Sequence, residues 1–253
     1  YTTLSEGKGM PDIIKGMGYD VIIPGNWEVV YGKDIMMDVM KGYETDVIVQ
    51  NMYHEKSEEP LFPAYSIKEI GGVRIGFIGI NDPDVPVSGL DGKLKKMVDD
   101  IKVNENVDVL FLVTHIGIFK QVELANNPIA ENVDYVLGND THERVRKPIQ
   151  GKYAKVTEPG AFGSFVGKLT LHFVDGKLVG DDYELIDVDP NEFPADKEVQ
   201  TLVDKAKAPY REHLETVVGY TETPIYRYLT VENPMDNMIT DAARWKTGAD
   251  ISI

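Results

Sequence analysis

Short apolar runs alternate with amphipathic stretches along most of the chain. Apolar runs bounded by Gly, Pro or polar residues predict buried strands at 19–26, 46–51, 73–80, 107–117 and within 133–145. Apolar residues at helical spacing predict helices at 10–18, 33–43, 92–104 and 121–129. Strands that alternate with helices in this way are typical of an α/β protein with parallel strands.

Antiparallel strands are predicted as well. Residues 65–80 have the pattern of a hairpin that turns at Gly71 and Gly72, and residues 153–188 predict two or three further antiparallel strands. A single mixed sheet, or two sheets packed together with helices outside, would accommodate both kinds of strand. The fold class is therefore α/β, with both arrangements open at this point.

The character of the chain changes after its last predicted antiparallel strand. Residues 189–218 contain a long charged helix that is interrupted near Pro209, and we interpret them as a helical linker between 1–188 and 219–253. Residues 219–253 predict a helix and then a strand, which is too little to bury a core, so we interpret them as the beginning of a second α/β domain. Because the chain starts without Met and ends within a predicted strand, we expect it to be part of a longer protein.

Composition and charge exclude several kinds of protein. The formal net charge is -16, which disfavours binding to a nucleic acid polymer because the phosphate backbone needs a basic surface. The chain has no cysteine, so disulfides and zinc–thiolate sites are excluded, and a metal site must use His, Asp, Glu or Asn. No apolar run has the length of a membrane span.

Polar side chains occur at the ends of three of the predicted strands. Their positions are Asn26-Trp27-Glu28, Thr114-His115 and Asn139-Asp140-Thr141-His142. Because the carboxyl ends of parallel strands lie along one edge of a sheet, we expect these side chains to converge. Asn26, His115, Asp140 and His142 together form a mixed nitrogen and oxygen ligand set that suits Zn, Mn, Fe or Co. The alternative is structural, since a single histidine after a strand is more often a hydrogen-bonded structural residue than a ligand.

Several segments, in order, resemble one known family. PGNWEVVYG resembles the Gly-Asn-His-Glu motif of the calcineurin-like metallophosphoesterases, and its Tyr-Gly is similar to that of the 5′-nucleotidase/UDP-sugar hydrolase branch. VTHIG and LGNDTHERV resemble the segments that bring further metal-binding histidines, the second being similar to Gly-His-Thr-His. EPGAFGSFVGKLTL is similar to the segment after that motif, and NPMDNMITDAARWKTGADISI to the opening of the C-terminal substrate domain. The resemblance spans nearly the whole chain.

This resemblance implies a two-sheet, four-layer α/β/β/α core in 1–188 and the start of a nucleotidase substrate domain in 219–253. It also implies hydrolysis of phosphoesters by a hydroxide held between two divalent metal ions, Mn, Zn or Fe. Asn26 and His115 would ligate the same metal, Asp140 stands where the family has the first histidine of Gly-His-Thr-His, and His142 stands at the second. By family analogy the location would be periplasmic or extracellular.

Two features depart from the family pattern. The opening Asp-x-His and Gly-Asp motifs are absent, so we expect an N-terminally truncated core that does not hold a complete dinuclear centre. Trp27 stands in place of the histidine of Gly-Asn-His-Glu, and an indole N–H can donate a hydrogen bond but cannot transfer a proton usefully. Trp27-Glu28, our candidate catalytic pair, resembles the bacterial thiosulfohydrolase of sulfur oxidation, which cleaves a sulfur–sulfur bond on a carrier protein.

The residues and the resemblance support three functional hypotheses. The first is a metal-dependent phosphoester hydrolase of 5′-nucleotidase type with a small-molecule substrate. The second is a thiosulfohydrolase-like enzyme whose partner is a sulfur carrier protein. The third is a degenerate, non-catalytic binding protein, because both Trp27 and Asp140 replace histidines of the family.

Overall fold

The computed structural model describes residues 1–54, 57, 59–81, 91–227 and 233–252. The chain divides into two compact units, Tyr1–Ala208 and Pro209–Ile253. The helices of the first unit are α1 Pro11–Met17, α2 Lys33–Gly42, α3 Asp91–Asn104, α4 Ile118–Asn126 and α5 Lys197–Lys207. Its strands are β1 Val21–Ile22, β2 Asp46–Val47, β3 Tyr65–Ile70, β4 Val73–Asn81, β5 Val109–His115, β6 Tyr135–Leu137, β7 Ile149–Gln150, β8 Lys155–Thr157, β9 Phe165–Val174 and β10 Lys177–Asp187.

Helices α1, α2 and α3 lie where the sequence pattern predicts them, whereas the helix predicted at 121–129 is α4, Ile118–Asn126, which begins three residues earlier and ends before Pro128. Helix α1 has Pro11 at its first position, where no N–H needs a partner, and ends at Gly18, whose φ of 70° suits a residue without a side chain. Helix α5 is capped by Asp196, whose carboxylate accepts hydrogen bonds from the backbone N–H groups of Glu198 and Val199. The interruption predicted near Pro209 is present, because a 3₁₀ turn, Ala208–Tyr210, comes directly after α5.

The main sheet has six strands in the order β3-β4-β5-β6-β8-β7. Strands β4, β5, β6 and β8 are parallel, while β3 and β7 pair antiparallel at the two edges. The predicted hairpin at Gly71 and Gly72 is the β3–β4 connection. The mixed sheet of the α/β prediction is therefore confirmed, and its parallel strands all end at one edge.

A second sheet, the β9–β10 hairpin, packs on one face of the main sheet. The rings of Phe77, Phe111 and Tyr135 stack in a row on this face, and Leu169 and Leu171 of β9 pack against them. The opposite face carries the largest apolar cluster, in which α3 and α4 cover β4, β5 and β6. Of the two arrangements that the sequence left open, the structure has two packed sheets, with α3 and α4 on the outer face of the main sheet.

One strand differs from the sequence prediction. The pattern of residues 153–188 predicts antiparallel strands only, but β8 lies parallel to β6 in the main sheet, with Tyr135 opposite Lys155. Only β9 and β10 form the predicted hairpin. The apolar pattern of a short strand shows that it is buried, as Val156 is, but says nothing about the direction in which it pairs.

Strands β1 and β2 are shorter than the apolar runs that contain them, and among the described strands they pair only with each other. The rest of each run is still held by backbone hydrogen bonds, such as that from Gln50 N–H to Gly79 O at 2.8 Å. Apolar residues of α2, Met36 and Met40, pack with Val49 in a separate cluster. Ile22 of β1 and Val47 of β2 pack against this cluster, which therefore anchors the short β1–β2 pair.

The second unit contains α6 Arg211–Glu215 and α7 Pro234–Thr247, and α7 ends at Gly248 with a φ of 71°. The helix predicted near the end of the chain is thus present. The strand predicted after it is not formed at residues 251–252, and residue 253 lies outside the described residues, as do 228–230 of the predicted extended segment. Within the described residues, no helix combines the length and apolar character that crossing a bilayer requires.

Candidate active site

Three of the predicted ligands meet at the carboxyl edge of the parallel strands. His115 is the last residue of β5, Asp140 lies in the loop after β6, and Asn26 lies in the turn after β1. The Nε2 atom of His115 is 3.1 Å from Asn26 Oδ1 and 3.3 Å from Asp140 Oδ1. The side chains of His115 and Asp140 are only 14% and 21% exposed. A nitrogen and two oxygens therefore converge at one partly buried point.

Gly25 makes room for this arrangement on the Asn26 side. A Cβ atom at Gly25 would lie 3.0 Å from Glu28 Oε2 and 3.3 Å from the His115 ring, so the carboxylate and the imidazole both pack against the bare backbone. Glu28 also acts on Tyr43, whose pKa is raised by burial and further by the negative charge of Glu28. Glu28 thus lies on the inner side of the turn, whereas Trp27 beside it is 76% exposed.

Two asparagines that were not predicted from the sequence, Asn51 and Asn81, hold the turn that contains Gly25 and Asn26. The Asn81 side-chain amide donates to Gly25 O at 3.0 Å, and the Asn81 backbone N–H donates to Asn51 Oδ1 at 3.0 Å. Asn81 is buried at the end of β4. The sequence did contain a signal for Asn81, because it is a polar residue at the end of the apolar run of β4.

The loop after β6 has an uncommon backbone. Asp140 has φ 99° and His142 has φ 65°, and non-glycine residues at positive φ cost about 1–3 kcal/mol each unless the surroundings hold them. Gly117 allows the loop to come close, since a Cβ atom there would lie 3.2 Å from Asp140 Oδ2. Such strain is concentrated at functional sites, which supports a role for this loop.

His142 is placed differently from the other predicted ligands. Its exposed ring packs edge-on against Phe162, with ring centroids 5.3 Å apart. Within the part of the chain that the structure describes, no hydrogen bond or ion pair joins His142 to His115 or Asp140. The structure therefore brings together three of the four predicted ligands, and the metal-binding role of His142 stays a prediction.

A buried carboxylate, also missed from the sequence, lies behind the loop. Glu158 is fully buried directly after β8 and accepts a hydrogen bond from Gln121 Nε2 at 2.9 Å. It also accepts from Thr141 Oγ1 at 3.2 Å and from the Glu143 N–H at 2.9 Å. The available signal was a carboxylate residue directly after β8 and just before Pro159.

The donor set fits part of a metal site. Amide oxygen, imidazole nitrogen and carboxylate oxygen together suit a divalent cation at the harder end of the first transition series. Among the described residues, however, no group of three or more His, Cys, Asp or Glu side chains is placed to hold a metal ion. Asn26, His115 and Asp140 therefore fit one side of a single cation, and a dinuclear centre would need further ligands.

Comparison with known proteins finds nucleotidases among the relatives of this chain. No family model matches the chain. The 5′-nucleotidase of Vibrio vulnificus is 25% identical over 220 residues, which is 72% of this chain and 39% of the relative. The chain thus spans about two fifths of the length of this relative.

Two solved structures from Thermus thermophilus share the fold. The sulfate thiohydrolase SoxB matches 98% of this chain and 47% of its own with a TM-score of 0.83 and 21% identity. A 5′-nucleotidase precursor matches 96% of this chain and 55% of its own, also with a TM-score of 0.83, at 20% identity. These relatives confirm the resemblance to the 5′-nucleotidase branch of the calcineurin-like metallophosphoesterases, and with it the fold class.

Proposed function

We propose that this chain forms most of the catalytic core of a metal-dependent hydrolase of small phosphoesters, of 5′-nucleotidase type. The observation that carries the proposal is the convergence of Asn26 Oδ1 and Asp140 Oδ1 on His115 Nε2 at the carboxyl edge of the sheet. The similarity to nucleotidases over most of the chain supports the same reaction class. We further propose residues 1–188 as the core, 189–218 as the linker and 219–253 as the start of the substrate domain, and a periplasmic or extracellular location by family analogy.

The proposed ligands divide between two metal ions. Asn26, His115 and Asp140 would hold one divalent ion, and His142 would serve the second of two ions (Mn, Zn or Fe), together with ligands from outside this chain's described residues. Bound divalent ions in such a site supply an activated water and neutralise charge on the phosphoryl group.

The pair Trp27-Glu28 would act beside these ligands. The exposed indole N–H of Trp27 would donate a hydrogen bond to a phosphoryl or leaving-group oxygen, but it cannot protonate the leaving group. Glu28, which packs against Gly25 on the inner side of the turn, would hold the turn so that Asn26 stays beside the His115 ring.

The test is hydrolysis by the full-length gene product. Nucleoside monophosphates, a nucleotide sugar and p-nitrophenyl phosphate are assayed with added Mn²⁺ and again with a chelator. We expect turnover that depends on Mn²⁺ and falls by at least about 100-fold in Asp140→Asn. Asp182→Asn is the matched control, because Asp182 pairs with His172 on an exposed strand in the same way that Asp140 pairs with His115. Absence of turnover on every substrate would refute the proposal.

Trp27 supports a second candidate, a thiosulfohydrolase-like enzyme. By the family resemblance, the indole stands where phosphoesterases carry a proton-transferring histidine. It is exposed next to Asn26, where a flat apolar contact would replace acid–base chemistry. This candidate predicts release of sulfate from a carrier protein whose cysteine bears a thiosulfonate group, with little phosphatase activity. If no sulfate is released from such a conjugate, this alternative is removed.

The third candidate, a non-catalytic binding protein, is separated from both by metal content. Elemental analysis of the full-length protein purified without chelator should give about two divalent ions per chain for a hydrolase with a dinuclear centre. A protein that holds none, even after incubation with Mn²⁺ or Zn²⁺, would favour the binding role.

A further inference from the structure

Glu158 is a buried acid whose contacts are all hydrogen-bond donors. Gln121 Nε2 donates to Oε2 at 2.9 Å and the Glu143 N–H donates to Oε1 at 2.9 Å. Thr141 Oγ1 accepts from Ile118 N–H at 2.9 Å, so its own hydrogen is available for Glu158 at 3.2 Å. Amide N–H groups can only donate, so both side-chain oxygens of Glu158 act as acceptors in this arrangement.

Among the described residues, Glu158 is held by hydrogen bonds and not by an ion pair. In the described ranges, no Lys, Arg or His nitrogen lies within 4.0 Å of its carboxylate, although its exposed surface is 0%. A buried carboxyl group is costly unless its oxygens are hydrogen-bonded, so these donors determine where Glu158 can lie. One of them, Thr141, is the immediate neighbour of the candidate metal ligand Asp140.

The contacts of Glu158 enclose the segment that carries Asp140. Gln121 Nε2 also donates to Asn139 O at 3.0 Å, so one amide connects Glu158 to the residue before Asp140. Thr141 and Glu143 connect it to the residues after Asp140. These bonds therefore lie on both sides of Asp140, where they hold its positive φ of 99°.

We propose that Glu158 is a positioning residue of the metal site: its carboxylate fixes the loop of residues 139–143 so that Asp140 stays beside His115, and so raises affinity for a divalent cation that Glu158 does not itself touch. The inference rests on the metal-binding part of the proposed function and not on the substrate. Substitution of a carboxylate that orients metal ligands without touching the metal commonly weakens metal affinity by about 10–100-fold.

The main test is Mn²⁺ binding to the full-length protein after its metal is stripped. Free Mn²⁺ is measured by electron paramagnetic resonance for wild type, Glu158→Gln and the control Glu184→Gln, which makes the same chemical change at an exposed position of β10. The side-chain amide of Glu158→Gln would place an NH₂ group, which can only donate, against neighbours that are themselves hydrogen-bond donors. We expect its Kd for Mn²⁺ to rise by about 10–100-fold, with Glu184→Gln within about twofold of wild type.

A second pair of variants keeps the test decisive if Glu158→Gln does not fold. Thr141→Val removes the hydroxyl that links Glu158 to Ile118, and Thr141→Ser retains it. We expect weaker Mn²⁺ binding in Thr141→Val and recovery in Thr141→Ser. In metal-free protein, the Glu143 amide should also exchange its hydrogen faster in Glu158→Gln, because its acceptor is lost.

The outcomes separate this inference from the proposed function. Folded Glu158→Gln and Thr141→Val proteins that bind Mn²⁺ as tightly as wild type overturn the inference, even if phosphoesters are hydrolysed. Weakened Mn²⁺ binding in a protein that hydrolyses no phosphoester supports the inference and refutes the proposed function. A wild type that binds no Mn²⁺ overturns the inference, and the phosphoester panel with other metals then decides the function.

Discussion

Tyr135→Phe is expected to destabilise the protein by loosening the contact between the main sheet and the β9–β10 sheet. The Tyr135 side chain is 2% exposed in β6, and its hydroxyl donates to Asp181 Oδ2 on β10 at 2.9 Å. Lys155 of β8 also forms an ion pair with Asp181, and its positive charge balances the negative charge of the carboxylate. The substitution leaves the ring stacking intact and removes only the hydroxyl, so its effect reports on one hydrogen bond between the sheets.

The magnitude depends on the charge of the acceptor. A buried hydrogen bond to a charged group contributes about 1.5–3 kcal/mol, which for a unit of this size lowers Tm by roughly 3–12 °C. Burial alone would raise the pKa of Asp181, but hydrogen bonds from Lys155 and Tyr135 outweigh it and lower the pKa below its usual value. Stability from a carboxyl with a lowered pKa is complete above the unfolded value, about 3.9, and is lost as the pH falls through the folded value.

The assay is urea unfolding monitored by far-UV circular dichroism at pH 7 and at pH 3. The difference in stability between wild type and Tyr135→Phe should be full at pH 7. It should be smaller at pH 3, because Asp181 is then mostly protonated in the unfolded chain and part of the advantage of the ionised, hydrogen-bonded carboxylate is lost. The pKa of Tyr135 itself is raised by burial and by Asp181, so its hydroxyl remains a donor at both pH values.

Tyr183→Phe is the matched control. The Tyr183 hydroxyl on β10 is buried and has no hydrogen-bond partner within the described part of the chain. Removing an unpaired buried hydroxyl should leave stability unchanged or increase it by up to about 1 kcal/mol. If both variants lose the same stability, or if Tyr135→Phe is neutral at pH 7, the reasoning about the charged acceptor is wrong.

Three further outcomes are expected. Gly79→Ala should destabilise by at least about 2 kcal/mol in urea unfolding, because its Cβ would lie 2.3 Å from the Ile48 backbone oxygen. Gly92→Ala, where no atom of the described residues lies within 4 Å of the added Cβ, should instead stabilise by about 0.5–1 kcal/mol, and a loss of stability there would contradict the packing argument. His115→Gln should weaken Mn²⁺ binding by at least about tenfold in equilibrium dialysis. The control His172→Gln should not change Mn²⁺ binding, because the His172 ring pairs with a carboxylate on an exposed strand away from the proposed ligands. Equal effects of the two substitutions would exclude His115 as a metal ligand.

The local pattern of the sequence was enough for most elements and for one part of the site. Helix α1 is marked by Pro11 and Gly18, and the β3–β4 hairpin by its paired glycines, because turn and cap preferences act over a few residues. His115 was found for the same reason, since a polar residue that ends an apolar strand is visible in sequence. The meeting of His115 with Asp140 was expected from the rule that parallel strands share a carboxyl edge.

Other features depended on contacts between residues that are far apart in the chain. His115 and Asn26 are separated by 89 positions and Gln121 and Glu158 by 37, so no local pattern records these hydrogen bonds. The parallel direction of β8 likewise arises from its pairing with β6.

The sequence by itself determined the α/β class, the order of most elements and the candidate ligands, because hydrophobic periodicity and turn chemistry are local properties of the chain. Only the tertiary structure decided that His142 packs on Phe162 while Asn26, His115 and Asp140 meet as expected, and that Glu158 is buried next to the loop of residues 139–143. The direction of a strand, the burial of an acid and the approach of two side chains depend on which distant segments pack together, and that packing minimises the free energy of the whole fold.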